Sequence, residues 1–401
     1  MSNYQPPSDR ARFDLTVVLL ALLTMFGPLS IDMYLPAFGA IAETFERSAN
    51  DVELSLTAFF LGLFIGQLLY GTVADRFGRK PPLYIGLFLY VLSSLALAFA
   101  SSLESFIIWR FVQALGSCAG LVIARAMVRD LYSAQASAQV FSWLILVMGI
   151  APILAPLLGA AITAQFGWQM IFLSVAGLAL LCLVIMNFRL QETRGPDPSV
   201  RISRSLSIYF AILRDVSFLR YSLPGGVAQS GLFAYITASP LLFIEYYQLS
   251  PSMYGVLFAS NAIGIISVAQ FNAWLLRRYP AERILNRALP FLGVTALAAG
   301  GAGLLEVSLI PVIALVFIYI STLGMVFPNA MAGALAEQQH RAGAASALTG
   351  SLQFLIAGGV SALVSWWGRF DPYAMTYMLA ICGSLAVVLY GLLRVTRKSK
   401  D

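Results

Sequence analysis

Apolar residues in this chain come in long unbroken runs, and polar residues collect between the runs instead of alternating with them. From Leu178 to Met186 every position is apolar. Twelve such runs can be marked, at about 14–37, 51–73, 82–101, 104–128, 138–163, 168–188, 218–244, 252–275, 284–305, 308–334, 342–366 and 372–394. A helix rises about 1.5 Å per residue, so each run is long enough to cross ~30 Å of hydrocarbon. A membrane barrel would need strands of about ten residues with apolar and polar positions alternating, and these runs do not alternate. The pattern predicts an all-α polytopic membrane protein with twelve transmembrane helices. Ala40-Ile41-Ala42 resembles the small-residue cleavage site of a signal peptide. The apolar stretch before it is too long for that, and Asp32 and Pro36 interrupt its end. The first run is expected to stay in place as a span.

Composition removes the soluble alternatives. Of 401 residues, 59% are hydrophobic and 11% charged, against about 25% charged in soluble domains. Twelve spans of ~20 residues leave only short connections and no room for a soluble catalytic domain. The single histidine and three cysteines argue against a metal enzyme or a disulfide scaffold. Cys118, Cys182 and Cys382 all fall inside spans, where cysteine acts as a small apolar filler. His340 falls in the short turn between the tenth and eleventh spans and is read as a solvated loop residue. No Walker-type phosphate loop is present, and no serine, histidine and carboxylate set presents itself. The chain is therefore not expected to be an enzyme, to carry a cofactor or metal, or to use ATP; an ion gradient is the expected energy source.

The basic residues set the orientation. With the N-terminus inside, inner segments receive Arg10 and Arg12, then Arg76, Arg79 and Lys80, then Arg125 and Arg129, and the cluster from Arg189 to Arg220. Arg277, Arg278, Arg283, Arg287, Arg341 and the group from Arg394 to Lys400 follow on the same side. Only Arg47, Arg110 and Arg369 of the 25 Lys and Arg fall in the outer half. Both termini are expected in the cytoplasm, and the basic pI of 9.3 becomes a topology signal, which removes nucleic acid as a partner. The polar, proline-bearing stretch 190–217 reads as a cytoplasmic linker between a six-span half at 1–189 and a second at 218–401. Asp75-Arg76-Phe77-Gly78-Arg79-Lys80 after the second span is echoed by Arg277-Arg278-Tyr279-Pro280-Ala281-Glu282 after the eighth. Paired six-span repeats are how many secondary transporters are built, with the substrate at the repeat interface.

Charges at membrane depth are costly and usually functional. Asp32 lies eighteen residues past Asp14, about 27 Å along a helix, in the outer part of the first span. A carboxyl there that can be neutral or charged suits proton coupling; the alternative is a carboxylate capping the turn before Pro36. Arg110 lies one or two turns below the outer end of the fourth span, with Gln113 on the same face. Its guanidinium stays charged and needs water, a carboxylate or carbonyls. It could tune Asp32, hold a polar substrate group, or reach the outer interface. Gly116, Gly120 and Ala124 on the same helix read as close packing. In the loop after the second span, Gly71 would admit a neighbouring helix and Gly78 a tight turn. Asp75 and Arg79 have the spacing for a charge network with Arg129 and Asp130. Positive-inside topology is the alternative reading, and it would account for Arg76 and Lys80. Gly149, Pro152, Pro156 and Gly159 in the fifth span predict a bent helix, serving either a gate or a curved packing seam. Tyr34, Phe59, Phe233 and Tyr235 are candidate aromatic contacts for a lipophilic ligand.

Together these residues resemble a known family. Gly71 with Asp75-Arg76-Phe77-Gly78-Arg79-Lys80 is similar to the signature loop of the major facilitator superfamily. Arg110-Phe111-Val112-Gln113-Ala114-Leu115-Gly116 resembles the fourth-span motif of its proton-coupled members. The stretch from Gly149 to Gly159 resembles the antiporter motif, with Ala155-Pro156 and Gly159-Ala160 at its pairs. Asp32-Met33-Tyr34-Leu35-Pro36-Ala37 and Arg125-Ala126-Met127-Val128-Arg129-Asp130 resemble the Bcr/CflA branch of drug:proton antiporters, and the likeness covers essentially the whole chain. The resemblance implies a monomer in a bacterial inner membrane that exports small lipophilic or amphipathic compounds in exchange for protons by alternating access. Asp32 would be the protonatable carboxylate and Arg110 the arginine coupled to it, with Gln113 beside the substrate. Gly71, Asp75, Arg76, Gly78, Arg79, Arg129 and Asp130 would form the conformational-switch loop. Some related antiporters have a second acid two turns before the first-span aspartate, where this chain has Thr24. That departure points to neutral or zwitterionic substrates and one proton per cycle. A proton-coupled carrier of one small metabolite, and a receptor without transport, are the alternatives.

Overall fold

The computed structural model describes residues 15–200 and 202–398. Arg10, Arg12 and Lys400, on which the orientation of the termini partly rests, lie outside the described residues. Among the described residues every regular element is helical, and twelve helices are long and apolar enough to cross a membrane. The spans of the first half are Leu15–Thr44, Ala49–Phe77, Lys80–Ala98, Leu103–Leu131, Gln139–Phe166 and Gln169–Arg189. Those of the second half are Val216–Tyr246, Pro251–Leu275, Ala281–Leu304, Leu309–Ala336, Gly343–Gly368 and Ala374–Arg394. Their outer faces carry exposed Ile85, Phe88, Leu181, Val294 and Ile310, as a lipid-facing surface requires.

Local chemistry explains where the spans start and break. Ser102 accepts a hydrogen bond from the amide of Ser105, and Ser250 one from Met253 ahead of Pro251, so both act as N-caps. The first span is not one helix. It runs as Leu15–Asp32, a single 3-10 turn at Leu35–Ala37, and a short helix Phe38–Thr44. Pro36 has no N–H and disfavours helical geometry in the residue before it, so the backbone opens directly after Asp32. Ala40-Ile41-Ala42 lies inside the last helical piece, and the span ends later than the apolar run suggested. A second difference is in the polar stretch 190–217, which contains a helix at Ile202–Leu213 that a linker reading does not anticipate.

The chain divides into two compact units. One comprises Met1–Arg47 with Ala58–Ser205, the other Ser48–Thr57 with Leu206–Asp401. In the first unit, spans one, three and four approach closely through small residues. A Cβ on Gly120 would strike the carbonyl of Leu23, and one on Gly116 the backbone of Tyr90 and Gly86. Gly71 does not serve this purpose: a Cβ there would meet nothing within 4 Å. The close contacts of the second span fall higher up, where Gly62 and Gly66 face Ala114 and Cys118. In the second unit the start of the second span is tied to the eleventh. Asp51 pairs with Arg369 at 2.6 Å, Asn50 donates to the Ser365 carbonyl at 3.3 Å, and Thr57 donates to Ser361 Oγ at 3.0 Å.

Candidate functional site

The break in the first span positions the first unit's central group. Asp32 is the last residue of the helix Leu15–Asp32 and only 4% exposed. It has no ion-pair or hydrogen-bond partner among the described residues. Two residues on, Tyr34 is fully buried and presents its ring to Arg110. The Arg110 guanidinium carbon lies 4.2 Å from the Tyr34 ring centroid, 4.4 Å from that of Phe59 and 5.9 Å from that of Phe172. Desolvated cation–π contacts of this kind are each worth about 2 kcal/mol. Nη1 of Arg110 donates to Gln113 Oε1 at 2.6 Å, and Gln113 Nε2 donates to Ser94 Oγ at 2.8 Å. Nε and Nη2 have no hydrogen-bond partner among the described residues.

The arrangement therefore brings Asp32, Tyr34, Phe59, Arg110 and Gln113 into one unit. It does not pair Asp32 with Arg110. The two are linked through Tyr34, which leaves the break at Asp32 and closes one face of the guanidinium. Thr24, which stands where some related antiporters have a second acid, donates its hydroxyl proton to the Ala21 carbonyl at 2.7 Å.

The fifth span supports this break from behind. It remains helical from Ala134 to Phe166, through Pro152 and Pro156, and Gly149 lies within the same helix. A Cβ built on Gly159 would overlap the carbonyl oxygen of Met33, the residue after Asp32. A glycine is thus required where the two backbones touch. Gly159→Ala is expected to destabilise the protein by about 1–3 kcal/mol, the usual cost of overpacking, and to impair transport. An unchanged melting temperature in detergent, with transport intact, would remove Gly159 from the account.

Aromatic candidates of the second unit have partners of their own. Tyr235 accepts a hydrogen bond from Asn261 Nδ2 at 2.8 Å and stacks on Phe258 at 5.5 Å. Phe233 lies 5.7 Å from Phe354. Among the described residues, only Glu282 of the segment Arg277–Glu282 forms an ion pair, with buried Arg220 of the seventh span at 2.5 Å.

A charge network closes the loop after the second span. Arg79 is buried and bonds Asp75 at 2.6 Å and Asp130 at 2.8 Å. Burial works against its charge, but the bonds and charges of Asp130 and Asp75 outweigh that and raise its pKa above the ordinary arginine value. Gly78 adopts φ +89°, a left-handed geometry that favours glycine. A Cβ there would come within 2.8 Å of Glu192 Oε2. Glu192 accepts from the amides of Arg79 and Lys80 at 2.8 and 3.0 Å, so a carboxylate caps the positive end of the third span. Thr193 donates to Asp130, and Arg194 lies 3.6 Å from Asp75. Arg129 is exposed and makes no ion pair among the described residues. Arg76 turns to Phe77 and the Val200 carbonyl. The role of Glu192 is not legible in the sequence, because the Arg79 and Lys80 amides it caps lie more than a hundred residues away.

Sequence comparison adds three relations to this geometry. The family model described as Major Facilitator Superfamily matches residues 20–362. An uncharacterized MFS-type transporter, YdgK of Bacillus subtilis (strain 168), is 37% identical over 391 residues, 95% of this chain and 96% of that one. A bicyclomycin resistance protein homolog of Haemophilus influenzae is 29% identical over 376 residues, covering 93% and 94% of the two chains. Among solved structures, a D-xylose-proton symporter superposes with a TM-score of 0.73 at 15% identity, over 94% of this chain and 96% of that one. That last likeness is one of fold alone.

Proposed function

Since this chain belongs to the major facilitator superfamily, and is a multi-pass membrane transporter rather than an enzyme, we propose that it is a proton-coupled antiporter of the Bcr/CflA type. On this reading it exports small lipophilic or amphipathic compounds across the bacterial inner membrane, with both termini cytoplasmic. The observation that carries the reading is a buried carboxyl without a partner, Asp32, joined through Tyr34 to a buried arginine with two unfilled donor atoms. The resistance named for the Haemophilus relative supports drugs as the substrate class.

The mechanism is a competition. In the outward-facing state Asp32 takes a proton, and the substrate, deprived of the carboxylate, leaves. In the inward-facing state the proton departs and substrate binds again against Arg110, Gln113 and the aromatic rings. The network of Asp75, Arg79, Asp130 and Glu192 stabilises one of the two states and must loosen for the exchange. A potential of 100 mV contributes about 2.3 kcal/mol per charge, and one pH unit about 1.4 kcal/mol. One proton per neutral substrate then supports accumulation of about 500-fold.

The test is transport by purified protein in inside-out vesicles with an imposed pH gradient and a panel of fluorescent drugs. Uptake that alkalinises the lumen and collapses with a protonophore is expected. Uptake insensitive to the gradient would overturn the reading. A second reading has its own support: two free donors on Arg110 would suit a substrate carboxylate held bidentately, making the protein a carrier of one small metabolite. Transport confined to one acidic compound would favour it.

A further inference from the structure

The second unit contains another buried carboxyl, four residues into the second span. Glu53 is fully buried, and neither carboxyl oxygen has a hydrogen-bond partner among the described residues. Its surroundings are polar and specific. Asn50 and Thr57, on neighbouring turns of the same helix, bond the Ser365 carbonyl and Ser361 Oγ of the eleventh span. Thr237 of the seventh span shares Ser361 Oγ at 2.9 Å.

The charges around it offer an ionised Glu53 nothing. Glu245 of the seventh span faces it with a like charge. Arg369 is held by Asp51 at 2.6 Å and makes no ion pair with Glu53. The Ser365 hydroxyl lies beside Glu53 but gives its proton to the Ser361 carbonyl at 2.9 Å. With its proton so committed, the Ser365 hydroxyl leaves both Glu53 oxygens without a donor. A carboxylate buried without donor or counter-charge is strongly disfavoured.

We propose that Glu53 is a second proton-binding site, separate from Asp32, which holds its proton while spans two, seven and eleven enclose it and releases it only when that enclosure opens. The surroundings of Glu53 assign this role without reference to Asp32. The transporter would then bind a proton at two acids, even though the first span supplies one.

Infrared spectroscopy of the full-length protein in nanodiscs tests this. At neutral pH the wild type should show a protonated-carboxyl C=O band that moves on deuteration. Glu53→Gln should lose that band and Asp32→Asn should keep it. Glu245→Gln, an exposed change that spares the fold, should let the same band titrate at lower pH because a facing negative charge is gone. Should Glu53→Gln not fold, the Glu245→Gln titration alone decides. A Glu53→Gln spectrum superposing on the wild type, or a band indifferent to Glu245→Gln, overturns the proposal. Neither result touches vesicle antiport, and failed antiport leaves the Glu53 band to be read by itself.

Discussion

Asp32→Asn is expected to abolish proton-driven accumulation while leaving the protein folded. Asparagine keeps the shape of aspartate and cannot exchange a proton, so the substrate loses its competitor. In inside-out vesicles the steady-state gradient should fall from as much as about 500-fold to equality. Downhill movement of substrate should persist at weakened affinity, because the carboxylate is gone while the aromatic rings and Arg110 are untouched. Folding should survive because Asp32 bonds to nothing among the described residues that would be left unpaired. The break beside it is set by Pro36 and by the contact of Gly159 with Met33, neither of which the substitution alters. A melting temperature within a few degrees of wild type together with lost accumulation is the expected pair of results. Undiminished accumulation would remove Asp32 from proton coupling.

How far the sequence could lead depends on what each feature asks of its surroundings. The twelve spans were legible because hydrocarbon demands long apolar runs whatever the tertiary fold, and Asp32 and Arg110 stood out because lipid so rarely keeps a charge. The meeting of Arg79 with Asp75 follows from their spacing on a helical turn. Features that depend on partners far along the chain were hidden. Glu192 sits in a stretch that reads as plain linker, yet it caps the third span. Glu53 lies near the start of its span, and only its buried, partnerless state marks it. Gly71 shows the converse: a glycine in a motif says nothing about which neighbour, if any, will approach it. Gly159 belongs to a stretch that predicts a bend in its own helix, whereas its tightest contact is with the non-helical break of the first span at Met33.

Arg110→Met should separate stability from function. The guanidinium is fully buried and has two nitrogens without acceptors, each an unmet donor worth about 1–3 kcal/mol of penalty. Replacing a buried charge with an apolar side chain of similar length is often neutral or stabilising. Methionine also keeps contact with the faces of Tyr34 and Phe59. Against this, Gln113 Oε1 loses its donor at 2.6 Å and the cation–π attraction to the rings is lost, so the net change should lie within about 2 kcal/mol of zero. Transport should nevertheless fall at least about a hundredfold, a loss of roughly 2.7 kcal/mol of binding to the state that carries substrate. Arg110→Lys should fail too, because a point-charge ammonium cannot lie flat between two rings and reach Gln113 at once. The double change Arg110→Met with Gln113→Leu should recover the stability lost at Gln113 and none of the transport. If Arg110 is there to hold the fold, Arg110→Met will instead melt several degrees below wild type, and its loss of transport will follow the loss of folded protein.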